Sequence, residues 1–96
     1  LLGHGVGKEL SVSPYMIEMT DTSEVFPLFQ HPGVEFIHML EGAMVYEHGG
    51  KPYHLSPGDS LFFEGTTAHG PIELIKLPIR FLSIIIEPGP DDRSQR

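Results

Sequence analysis

Apolar and polar residues alternate along much of this 96-residue chain, and the stretches that carry the pattern are short. Tyr15, Ile17 and Met19 interleave with Met16, Glu18 and Thr20, which is the two-residue period of a strand with one buried face. Glu35 to Leu40 and Ala43 to His48 read as two further strands, joined through Glu41 and Gly42. Gly49-Gly50 then reads as a two-residue hairpin turn into Lys51 to Leu55, because such turns need positive φ, which glycine accepts at no steric cost. Pro57-Gly58-Asp59 marks another turn, and Ser60 to Glu64 and Arg80 to Ile86 complete the strands. With Gly 11 and Pro 9 in the chain, the apolar runs are broken too often for an amphipathic helix of ordinary length, so the chain reads as all-β. The pattern alone leaves a sandwich and a jelly roll open.

Arg80 to Ile86 departs from simple alternation, since Phe81, Leu82, Ile84, Ile85 and Ile86 load both of its faces. Such a strand is expected to be covered by its own barrel on one side and by a second subunit on the other, giving a homodimer. Met39, Met44, Phe62, Phe63 and Phe81 are expected in the core. The length allows one domain, with residues 1–9 read as a linker, 10–87 as the barrel and 88–96 as a tail. The first residue, Leu1, suggests a piece of something longer.

Composition removes several classes of function. There is no cysteine, hence no disulfide framework and no thiolate metal site, which fits a cytoplasmic protein. No apolar run approaches the ~20 residues of a membrane span, and no signal peptide is visible. The net charge of −7 repels phosphate backbones, so direct DNA binding by these residues is not expected. A P-loop, a dinucleotide fingerprint and a G-x-S-x-G elbow are all missing from the sequence.

One constellation remains. His31, Glu35 and Gly42 stand at the spacing H-x3-E-x6-G, and Pro57-Gly58-Asp59 is followed at ten residues from Asp59 by His69. Together these resemble the two motifs of the cupin family, over residues 31 to 86. The resemblance implies a jelly-roll β-barrel, or double-stranded β-helix, whose cavity His31, Glu35 and His69 line. It departs from the family pattern at Phe29, which stands where a second histidine is usual, and at Glu64 and Thr66, which replace a proline and a glycine. Because strand residues two apart share a face, Phe29 should also point into the cavity. What is left is a two-histidine, one-carboxylate set, an arrangement suited to Fe(II) and tolerated by Zn, Ni or Mn. His38 lies on the opposite strand face and reads as packed or interfacial, His48 and His54 as solvent-exposed beside the hairpin, and His4 carries no signal. Glu64 and Glu73 read as solvated residues near a pocket mouth.

The stretches GKELSVSPYMIEM, PLFQHPGVEFIHMLEGAMVYEHGGKPYHLSPGDSLFFEGTTAHGP and RFLSIII also resemble the C-terminal cupin domain of Xre-type helix-turn-helix transcriptional regulators. That resemblance implies a domain that senses a small-molecule effector and meets DNA only through a helix-turn-helix outside this chain. The alternative is a stand-alone metal-dependent enzyme, an oxygenase, isomerase or lyase. A third reading is a dimerisation module with a filled barrel.

Overall fold

A computed structural model describes residues 9–23 and 27–89. His4, nearly all of the 1–9 linker and the tail from residue 90 onward therefore lie outside the described residues. The described residues form five strands: β1 (Leu10–Met19), β2 (Val34–His48), β3 (Lys51–Leu55), β4 (Ser60–Glu64) and β5 (His69–Pro88). All pair antiparallel in one curled sheet of order β1-β5-β2-β3, with β4 also on β2. The two long strands are the frame. The first half of β2 lies between β4 and the second half of β5, and its second half lies between β3 and the first half of β5. Register shifts between Met39 and Tyr46 bend this frame, as bulges do, and bring its two ends around a common interior. Among the described residues, no helix is long and apolar enough to cross a membrane.

The interior is filled from alternate positions. Ile37, Met39, Met44 and Tyr46 of β2 point inward with Met19 of β1, Phe63 of β4 and Ile79 and Phe81 of β5. The hairpin at Gly49-Gly50 has positive φ at both residues, 61° and 80°, and Gly58 of the Pro-Gly-Asp turn has φ 93°. That second turn is stitched to the bend of β2, with Gly58 N donating to Met39 O at 2.9 Å and Met39 N to Asp59 O at 2.9 Å.

Several expectations change. The two strands expected on either side of Glu41-Gly42 are one strand, β2, because Gly42, at φ 83°, bulges the backbone without breaking the pairing. A Cβ there would meet the carbonyl oxygens of Pro78 and Lys76 on β5. Arg80 to Ile86 is the second half of the 20-residue β5, whose first half the sequence reading missed. Phe62 is not core: it pairs with Phe36 on the outer face and is 65% exposed. Within Arg80 to Ile86 the faces separate cleanly, Phe81, Ser83 and Ile85 turning to the interior and Leu82, Ile84 and Ile86 outward.

That outward face is apolar across four neighbouring strands. Pro14, Ile84, Phe36 and Phe62 form one row through β1, β5, β2 and β4. Met16, Leu82 and His38 form the next row, with Met16 and the nearby Val12 exposed. His38 is held there by Ser60, 2.7 Å from Nδ1 to Oγ, and stacks on Phe36, so it is packed on the outer face and is no ligand.

Candidate metal centre

Glu35 lies in the first half of β2, facing inward, and is only 6% exposed. His69 opens β5 and is 1% exposed. His31 precedes β2 on a segment that runs beside the approach to β5. Phe29 and His69 exchange both backbone hydrogen bonds, 2.7 and 3.0 Å, and His31 N donates to Gly65 O at 2.9 Å. Gly65 N in turn donates to Gly33 O at 2.8 Å, which clamps the segment at a second point. Pinned in this way, the three side chains meet. Nε2 of His31 is 3.0 Å and Nε2 of His69 3.2 Å from the same oxygen, Glu35 Oε1. The three donor atoms lie within 4.8 Å of one another.

Every other polar atom of the three side chains is taken up by the protein. Nδ1 of His31 donates to the Pro32 carbonyl at 2.8 Å, and Nδ1 of His69 to the Thr67 carbonyl at 2.7 Å. The Ser83 hydroxyl donates to Glu35 Oε2 at 2.6 Å. A carbonyl can only accept, so each Nδ1 carries the proton, and in the neutral rings each Nε2 presents a lone pair. Two lone pairs then face a carboxylate oxygen, which is repulsive unless protons or a cation lie between them. Protonating both rings would place two positive charges side by side in a buried site, their ring centroids 4.9 Å apart. One divalent cation resolves the arrangement instead. The 3.0 and 3.2 Å from Glu35 Oε1 to the two nitrogens are close to the ~3.0 Å that separates adjacent donors at metal bonds of ~2.1 Å, so the residues fit a metal.

Neighbouring groups tune the site. Burial alone would lower the pKa of His31, but the hydrogen bond to Pro32 and the bond and charge of Glu35 outweigh it and leave it above the ordinary histidine value. A proton thus competes with a metal for Nε2. Tyr46, stacked near His69 with centroids 6.3 Å apart, keeps its phenolic proton far above the usual tyrosine range, chiefly through burial and then through the charge of Glu35. Phe63 packs on His69 at 4.8 Å.

The triad sits in the wall of a cavity of about 470 Å³ that Phe29 also lines. The four residues singled out in the sequence therefore share one cavity. Ser83, Tyr46 and Gly65 were not singled out there. The available signal for Ser83 was parity: it interrupts the apolar run at an inward position, between Phe81 and Ile85. His48 was expected in solvent but is partly buried, its Nε2 donating to the Glu64 carbonyl at 3.0 Å and its ring 4.9 Å from Phe63. His54 is exposed, and so are Glu64 and Glu73.

Residues 16–85 match the family model described as "Cupin domain". No protein of curated function matches the chain in sequence. Among solved structures it is similar to a predicted oxalate decarboxylase from Thermotoga maritima, at 26% identity and TM-score 0.67 over 77% of this chain and 64% of that one. It is similar to the DMSP lyase DddQ from Ruegeria pomeroyi DSS-3, at 26% identity and TM-score 0.66 over 78% of this chain and 38% of that one. The iron(II) form of HppE shares the fold, at 21% identity and TM-score 0.67, with 78% of this chain and 42% of that one covered. The chain thus spans less than two thirds of the length of each of these structures.

Proposed function

The chain belongs to the cupin family, and from that premise we propose that it is a metal-dependent cupin enzyme acting on a small organic molecule. The observation that carries this reading is the convergence of His31 Nε2, His69 Nε2 and Glu35 Oε1 while their remaining polar atoms are bound by the protein. A divalent metal, with Fe(II) suited to this set and Zn, Ni or Mn tolerated, would supply a Lewis acid with open positions for a substrate's oxygen atoms. Glu35 is oriented by Ser83, and the two imidazoles by backbone carbonyls, so the donors need no rearrangement to hold the ion. Phe29, at the place of a further histidine, leaves a side of the site to the substrate. The similarity to a predicted oxalate decarboxylase and to a DMSP lyase supports the enzyme reading over the sensor.

A second reading, an effector-sensing domain of a transcriptional regulator, is favoured by the sequence resemblance to Xre-type regulators and by the charge of −7, which leaves DNA to another domain. In either reading we place the protein in the cytoplasm and pair it with a second copy through the apolar outer face.

Titrating the chelator-treated chain with Co(II), Fe(II) and Zn(II) tests the premise. One metal ion per chain is expected, with affinity at least tenfold weaker in Glu35→Gln and His69→Ala. Unchanged affinity in both variants would reject the site. Turnover of a small carboxylic or hydroxylated compound by the loaded chain would then separate the enzyme from the sensor.

A further inference from the structure

Outside the three donors, the cavity is a neutral surface. Ile17, Met19, Phe29, Pro71, Phe81 and Ile85 supply its apolar walls, and Gln30, Tyr15 and Tyr46 add only uncharged polar groups. Among the described residues the cations are Lys51, Lys76 and Arg80, and none lines it. Lys51 lies over the Tyr53 ring at 5.7 Å, and Arg80 faces Glu18 at 3.5 Å. The volume of about 470 Å³ is that of a small-molecule site, for which roughly 300–1,000 Å³ is ordinary.

Charge balance follows, resting on the metal reading above. A divalent ion held by one carboxylate and two neutral imidazoles carries a net charge of +1. One anionic oxygen-bearing group neutralises it. A second anionic group farther out would lie against mainly apolar walls with no cation to pair with and only the neutral donors of Gln30, Tyr15 and Tyr46, which is a costly place for a charge. We infer that the site takes a small monoanionic molecule, one oxygen-donor head on an uncharged apolar body, and discriminates against dianions of the same length.

The Co(II)-loaded chain provides the test, with acetate, hexanoate and adipate as probes and the cobalt d–d absorption as the readout. Hexanoate and adipate have the same carbon count and differ in a terminal carboxylate. Hexanoate is expected to bind at least tenfold more tightly than either acetate or adipate. Tyr15→Arg, a change at a half-exposed position of the cavity wall, should raise the affinity for adipate relative to hexanoate about tenfold. Adipate binding as tightly as hexanoate, or hexanoate no more tightly than acetate, would overturn the inference while leaving the metal site standing. A chain that shows no bound-cobalt spectrum would instead remove the metal reading and this inference with it.

Discussion

Gly65 has the space of a side chain already filled by its neighbour. A Cβ built there would collide with Cε1 and Nδ1 of the His31 ring and lie 2.7 Å from Nε2. The Gly65 backbone is outside the left-handed region, so alanine is acceptable to the backbone, and the three nearest atoms its Cβ would meet all belong to the imidazole. Gly65→Ala is therefore expected to swing His31 away from Glu35 and weaken metal binding at least tenfold. A double-mutant cycle separates this from general damage: in a His31→Ala background the same substitution should cost almost no further affinity. Full additivity in that cycle would show that Gly65 acts elsewhere. The contrast with the triad explains what a sequence reveals at this scale. His31, Glu35 and His69 were legible because their spacing to Gly42 and to the Pro-Gly-Asp turn resembles the two cupin motifs. Gly65 was not, because a glycine announces a need for space without naming the residue that occupies it. Ser83 was passed over for a similar reason, since its partner Glu35 lies on another strand.

Between residue and molecule, legibility followed the range of the pairing. The bounds of β3 and β4 agree with the sequence reading because a Gly-Gly hairpin and a Pro-Gly-Asp turn are local signals. The first half of β5 was hidden by Gly70, Pro71 and Pro78, which ordinarily mark breaks. Here the strand passes through them. Around Pro71, β5 pairs only with β2, since β1 covers residues 79–88 alone, and an edge tolerates a proline. Pro78 falls in the bulged stretch between Lys76 and Arg80, where it has no partner in the β2 register. Gly42 stands at the matching bend of β2. Alanine at Gly42 would both strain a φ of 83° and press on two carbonyl oxygens of β5. We expect Gly42→Ala to destabilise the fold by on the order of 3 kcal/mol, measured by urea unfolding. A loss below about 1 kcal/mol would mean that the two long strands are not in contact there.

For the whole molecule, the outer face is the feature to explain. An apolar band across four strands exceeds what single exposed residues amount to and is the kind of surface expected to meet a partner. A second copy offers the same face, and a two-fold contact is self-complementary by construction. Light scattering at tens of micromolar is expected to give a dimer, and Phe62→Glu, at an exposed position, should shift it to monomer with the fold intact by circular dichroism. A native monomer at that concentration would refute the pairing. Of the strand expected to meet a partner, Phe81 and Ile85 line the cavity, so Leu82, Ile84 and Ile86 are the residues of that run on the outer face. The clamp of the 29–33 segment onto residues 65–69 has a consequence in time. His31 and Glu35 are near neighbours in the chain, but His69 joins them only when the loop spanning β2 to β4 has closed, a long-range event. A partly folded chain in which that loop is still open offers a metal two of the three donors. Stopped-flow measurements should then find the refolding rate unchanged by saturating Zn(II) and the unfolding rate slowed by nearly the whole stabilisation. The ion would govern how long the folded chain lasts and leave the speed of folding as it was.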